Sequence, residues 1–182
     1  MRFDLIRDPG EDPQLAPLYR EITASGMGGE RPLDWFCSHG IRPDILSGTW
    51  ALSKGVLLGG HLPTTIKQMI VVLVSASNGC QYCRIIYGQA LQGMGVAAEL
   101  IDNLTTDINL EKVPPTQRAI LQFALQVSQT PQQIADADVL NLRSYGLDDN
   151  EILEIIMVST FTNFINLWSE MSGIELDAEG TP

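Results

Sequence analysis

The 182-residue chain sets 11 Lys and Arg against 22 Asp and Glu, a formal net charge of −11, with 45% hydrophobic and 18% charged residues. That length and balance fit one globular domain with its own core rather than a disordered chain. So acidic a surface repels phosphate backbones and anionic lipid, so neither nucleic acid nor a membrane is an expected partner.

Three cysteines form no disulfide framework and suit a reduced, cytoplasmic setting. The opening MRFDLIRDPGEDPQ breaks its apolar residues with Asp4, Arg7 and Asp8 and so has no secretory core. The longest apolar segment, around Met69 to Val74, is too short to cross a bilayer.

Taken in order, residues 1–12 read as an N-terminal arm, 13–174 as one all-α helical domain, and 175–182 as an acidic tail. Pro13 to about Ser25 is a first amphipathic helix, ended by the glycine-rich GMGGE. Leu33 to His39 forms a short helical turn carrying Trp35 and Phe36. Pro43 stands where proline suits a first helical position, opening a helix that runs to Gly59-Gly60. Its expected core residues are Ile45, Trp50, Leu52, Val56 and Leu57. Pro63 opens the next helix, to Ser77; its Val and Ile content also suits a buried strand, but its length favours helix.

Helices follow over Cys80 to about Met94 and Val96 to Leu104, with a polar connection over Thr105 to Val113. Pro114-Pro115 starts a helix with Ile120, Phe123, Ala124 and Val127 on one stripe. Asp136 caps a short helix ending before Gly146. Asp148 with Glu151 three residues on is a capping box for the last helix, closed by Gly173. The two helices around Tyr145 imitate a helix-turn-helix layout. Six acidic residues there (Asp136, Asp138, Asp148, Asp149, Glu151, Glu154) surround a single Arg143, which argues against DNA.

The stretch richest in chemistry is SASNGCQYC. Helical spacing lines up Cys80, Cys83 and Tyr87, and Asn78 as N-cap would set both sulfurs in or near a first helical turn. The unpaired N–H groups and positive dipole end there favour a thiolate. Two adjacent thiols can attack a peroxide or disulfide and then close on each other. Two other readings stay open: a zinc site completed by Cys37 with His39 or His61, and a pair of buried, unreactive thiols.

SASNGCQYC with its flanks RPDIL, LPTTIKQMIVVLV, QRAILQFALQVSQTP and GLDDNEILEIIMVSTFTNFIN resembles the carboxymuconolactone decarboxylase/alkylhydroperoxidase D-like (AhpD-like) family, in its peroxidase-related branch. The resemblance implies an all-α helical bundle assembling as dimer, trimer or hexamer. It implies Cys83 as the peroxide-attacking thiol and Cys80 as its resolving partner. No bound cofactor is implied, and an external dithiol, lipoyl-type or thioredoxin-like, resets the pair. A glutamate twelve residues before the first cysteine and a histidine four after the second relay the proton in the family. Here those positions hold Gln68 and Tyr87. Gln68 cannot ionise, and a phenol with an ordinary pKa near 10 cannot replace a histidine near 6.5 as base.

On one straight helix, residues 68 and 83 would lie roughly 22 Å apart along the axis, so any relay requires the chain to turn back at Asn78-Gly79. The function expected is a thiol peroxidase or disulfide oxidoreductase with altered proton relay. The alternative is a redox-responsive oligomer without turnover. Lactone decarboxylation, the family's other chemistry, needs no cysteine pair.

Overall fold

Proline and glycine punctuate this chain, and the computed structural model follows that punctuation. It describes residues 1–107 and 110–176. Its helices are α1 (Leu15–Ala24), α2 (Asp34–Cys37), α3 (Pro43–Ser53), α4 (Thr64–Ser77), α5 (Gln81–Gly93), α6 (Ala98–Thr106), α7 (Pro115–Gln129), α8 (Asp136–Ser144) and α9 (Asp149–Ser172). α3 runs on into a π-helical turn, Lys54–Leu58, and a 3₁₀ turn, Pro131–Gln133, precedes α8. The chain is all-α as expected; among the described residues the one β feature is an isolated bridge, Gly28 to Pro32. The expected acidic tail lies outside the described residues from residue 177 on, as do residues 108 and 109 of the polar connection.

Pro43 and Pro115 each open a helix, where a missing N–H costs nothing. The capping box of α9 is reciprocal: Asp148 N–H donates to Glu151 Oε2 at 2.9 Å and Glu151 N–H to Asp148 Oδ1 at 2.9 Å. At α8 the cap is Ala135, not Asp136; its N–H donates to Asp138 Oδ2 at 2.8 Å, and Asp136 is the first helical residue.

The chain divides into two compact units, Met1–Lys54 with the segment from Trp168 on, and Gly55–Leu167. In the first, α1 buries Leu15, Tyr19 and Ile22, one helical stripe. The Phe36 and Trp50 rings meet edge-on at 5.6 Å, and His39 lies between Trp35 (4.6 Å) and Trp168 (4.5 Å). The N-terminal arm is tied down: Arg7 grips buried Asp34 through Nε (3.1 Å) and Nη2 (2.8 Å), and Arg2 N–H donates to Ser172 O at 2.8 Å. α3 turns Leu46, Thr49, Trp50 and Ser53 inward. Ile45 and Leu52, expected in the core, fall on the opposite side of that stripe and are 47% and 43% exposed. Trp50, Val56 and Leu57 are buried as expected.

In the second unit α4 is the centre, with α5, α6 and α7 packed on it. Every residue from Ile66 to Ser75 is buried, which is why its sequence shows no polar face and imitates a buried strand. The α7 stripe of Ile120, Phe123, Ala124 and Val127 is buried as read. α9 is long and apolar enough to cross a bilayer by length and composition, and half of its most apolar window is buried inside the chain.

Candidate active site

The turn that presents the thiols is built from backbone. α4 ends at Asn78, and Gly79 follows at φ 72°, a left-handed conformation natural only to glycine. Gly79 N–H bonds Ala76 O at 3.1 Å and Cys80 N–H bonds Ser75 O at 2.9 Å, the paired bonds of a Schellman closure. Cys80 is then extended (φ −76°, ψ 96°) and serves as the N-cap of α5, its carbonyl accepting from Arg84 N–H at 3.1 Å. Asn78 is therefore the C-cap of α4 and not the N-cap of α5. The consequence drawn for the sulfurs survives: Cys80 stands at the cap and Cys83 is the third residue of the helix. No side chain caps this end, so its first N–H groups keep their positive character beside the thiols.

None of the three cysteines is in a disulfide. Cys80 and Cys83 are 1% and 0% exposed, and Tyr87, one turn on, is 8% exposed. Burial raises the Tyr87 phenol pKa, and the neighbouring Cys83 and Tyr82 add to the rise. Tyr87 thus keeps its proton throughout the physiological range: it can donate a hydrogen bond but cannot act as a base. Gln68 lies on α4, buried at 4% exposure, and its Oε1 has no hydrogen-bond partner. The chain does turn back at Asn78-Gly79, and α4 packs against α5. The structure therefore groups Cys80, Cys83 and Tyr87 on one helix, with Gln68 on its packing partner. Neither thiol nor the phenol donates to the Gln68 carbonyl.

Two polar constructions around the site were not read from the sequence. Lys67, beside Gln68, is 1% exposed. Its Nζ donates to Val56 O at 3.1 Å and to Gly59 O, and pairs with Glu154 Oε2 at 2.8 Å. Glu154 also accepts from His61 N–H (2.5 Å) and Leu62 N–H (3.0 Å). Burial alone would raise the Glu154 carboxyl, but the hydrogen bonds from Lys67 and the two N–H groups hold it below its usual value. Gly60, at φ 94°, lets the carboxylate approach: an added Cβ would sit 2.4 Å from it. The only local hint was a lysine inside an apolar helix, since its partner is far along the chain.

The second construction is an amide network over the thiol turn. Asn78 Nδ2 donates to Asn163 Oδ1 (2.9 Å) and Asn166 Oδ1 (2.8 Å), and Gln129 Nε2 donates to Asn78 Oδ1 (2.7 Å). Asn166 Nδ2 donates to Ser75 Oγ at 2.9 Å, and Ser128 Oγ to Asn163 Oδ1 at 2.7 Å. Asn163 and Asn166, three apart among the aromatic and aliphatic residues Phe161 to Trp168, were the available signal.

Cys37 lies in the first unit, buried at the end of α2 with its thiol directed to Pro32 O at 3.5 Å. Burial pushes that thiol up, against an opposing hydrogen bond from Tyr19. Among the described residues no three His, Cys, Asp or Glu side chains converge as metal ligands.

A model of the carboxymuconolactone decarboxylase family matches residues 43–108, which span α3 to α6 and contain the whole thiol site. The fold is shared with an AhpD-core, peroxidase-related protein of Ralstonia eutropha JMP134, itself uncharacterised, at TM-score 0.85 and 25% identity, over 98% of this chain and 93% of that one. A second uncharacterised peroxidase-related protein, from Silicibacter sp. TM1040, matches at TM-score 0.84 and 24% identity, with coverage of 98% and 93%. The debrominase Bmp8 in complex with 2,3,4-tribromopyrrole shares the fold at TM-score 0.78 and 21% identity, with coverage of 96% and 92%. No protein of curated function matches the chain. The family match is confined to α3 to α6, while the AhpD-like all-α fold is shared with these neighbours over nearly the whole chain.

Proposed function

We propose that the protein is a dithiol peroxidase of the alkylhydroperoxidase type, with Cys83 as nucleophile and Cys80 as resolving thiol. The observation that carries this reading is the pair itself: two thiols three residues apart at the uncapped N-terminal end of α5, neither in a disulfide. The Cys83 thiolate attacks the terminal oxygen of a hydroperoxide, the O–O bond breaks, and the alkoxide leaves as the alcohol once protonated. Cys83 is thereby oxidised to a sulfenic acid. The Cys80 sulfur then attacks Cys83, the S–S bond forms and water departs. An external dithiol, lipoyl-type or thioredoxin-like, returns both thiols by exchange. The site's own residues call for no bound cofactor in this cycle.

The proton supply favours slow turnover. Gln68 cannot ionise and Tyr87 stays a neutral phenol, so the leaving oxygen draws its proton from water or through the phenol's hydrogen bond. That same observation supports a second reading, a redox-responsive module in which the disulfide alters packing or assembly without turnover. Phe164 and Leu167, 43% and 65% exposed on α9, support a homo-oligomer in either case. Of the neighbouring aromatic residues of α9, Phe161 is buried and Trp168 stacks on Phe3 at 5.7 Å. A cytoplasmic setting, without nucleic acid or membrane as partner, accompanies both readings.

Mass spectrometry after one equivalent of cumene hydroperoxide, then steady-state peroxide consumption with a dithiol reductant, separates them. Peroxidase function requires a Cys80–Cys83 disulfide, unmodified Cys37 and sustained consumption. A disulfide without sustained consumption selects the redox module, and unmodified Cys80 and Cys83 overturn both.

A further inference from the structure

Both thiols are closed off from solvent, so a reaction with any external molecule requires the α4–α5 turn to open. The two backbone bonds of the Schellman closure hold that turn at the end of α4. Asn166 ties it to the rest of its unit from the buried side. This side chain is 3% exposed, and both ends of its amide are used on the same turn. Its Oδ1 accepts from Asn78 Nδ2 at 2.8 Å, at the C-cap of α4, and its Nδ2 donates to Ser75 Oγ at 2.9 Å. Ser75 is also the residue whose carbonyl holds the Cys80 N–H. One amide from α9 therefore bridges the two residues that flank the closure from which Cys80 emerges.

We propose that Asn166 is a positioning residue for the thiol pair: bound to Asn78 and Ser75, it latches the Cys80-bearing turn shut, and its release admits the reacting molecule. The proposal rests on the reading that the pair reacts with an external molecule, but not on that molecule being a peroxide. The chemistry favours a latch over simple packing. Amide-to-amide and amide-to-hydroxyl bonds exchange readily for bonds to water once the turn lifts, whereas an apolar contact would resist wetting. Gln129 and Asn163 hold Asn78 from the more exposed side, so the network runs outward from the buried bridge.

Buried Cys37 belongs to the other unit and supplies an internal reference, because global unfolding exposes all three thiols together. The test is iodoacetamide labelling of the reduced full-length protein at neutral pH, read cysteine by cysteine by mass spectrometry. Asn166→Ala removes both bonds, and should raise labelling of Cys80 and Cys83 relative to Cys37 at least tenfold. Ser75→Ala removes only the bond to Ser75 and should raise the ratio by a smaller factor, while Asn166→Leu removes both bonds at nearly unchanged side-chain volume and should match Asn166→Ala. These two variants decide the matter if Asn166→Ala does not fold. The latch is overturned if the three cysteines label faster in step, or if folded variants label like the wild type. It is equally overturned if the wild-type pair already labels as fast as an exposed thiol. Variants that open the turn in a protein inert to peroxide leave the latch standing and remove only the peroxidase reading.

Discussion

Cys37 and the Cys80–Cys83 pair are equally shielded, at 0%, 1% and 0% exposure, yet their surroundings differ. Cys37 closes the short α2, with its thiol turned to a backbone carbonyl. Burial raises its pKa, the Tyr19 hydrogen bond opposes that, and the nearby Asp34 carboxylate adds to it. The pair stands at the beginning of a 13-residue helix whose leading N–H groups no side chain caps. At Cys37 burial outweighs the Tyr19 and Arg31 groups that would favour a negative sulfur, whereas the pair stands beside helix N–H groups that favour one. Solvent exposure alone does not distinguish these cysteines; the backbone groups around each sulfur do.

The comparison is broken most directly by exchanging sulfur for oxygen. Cys83→Ser should abolish peroxide-driven disulfide formation, and Cys80→Ser should leave a sulfenic acid on Cys83. Cys37→Ser should leave the oxidation rate unchanged. Sulfenic-acid trapping with mass spectrometry reads all three, and a sulfenic acid on Cys80 in Cys83→Ser would reverse the assigned roles. A smaller effect sharpens the picture of the proton supply. Positioned acid/base groups contribute about 10²- to 10⁴-fold in such steps. The double change Gln68→Glu, Tyr87→His should raise peroxide turnover at neutral pH by about one order of magnitude or more. Tyr87→His alone should do less, because no partner orients the imidazole. If the wild type turns over briskly and Tyr87→Phe changes nothing, the proton has another source.

The smallest effect is a pH dependence. Cys37, Tyr19 and Tyr87 all have raised pKa values in the folded chain, so the folded state holds these protons more tightly than the unfolded one. That contribution is complete below the unfolded values, about 8.5 for Cys and about 10 for Tyr. It is lost as pH rises through them toward the folded values. Urea midpoints should therefore fall from about pH 8 to about pH 11, with a shallower fall near the cysteine range in Cys37→Ser. A fall of equal slope in that variant would show that Cys37 does not differ from an ordinary thiol.

Much of this was legible in the sequence, and the failures have physical causes. Proline starts, the α9 capping box and the α7 stripe are local signals, and each was read correctly. Asn78 was misassigned because asparagine suits either end of a helix. The glycine after it, free to go left-handed, is what decides for the C-terminal end. Ile45 and Leu52 were placed inside because α3 is apolar on more than one side, and composition does not say which side meets the core. The Lys67–Glu154 pair and the Asn78–Asn166 bond join residues far apart in the chain, and no spacing rule reaches across such separations. The thiol pair was found because its two members are neighbours; its holder was missed because it is not.

The π-helical turn at Lys54–Leu58 accommodates an extra residue relative to α-helical winding. The Val56 carbonyl within it and the Gly59 carbonyl just beyond are turned to Lys67 Nζ. Lys67 thus reads backbone positions, not side-chain identities, in KGVLLG. Deleting one residue there would restore α-helical winding, rotate the downstream residues by about 100° and carry at least one carbonyl off the ammonium. Over this segment substitution is the tolerant kind of change, and the number of residues is what the fold counts.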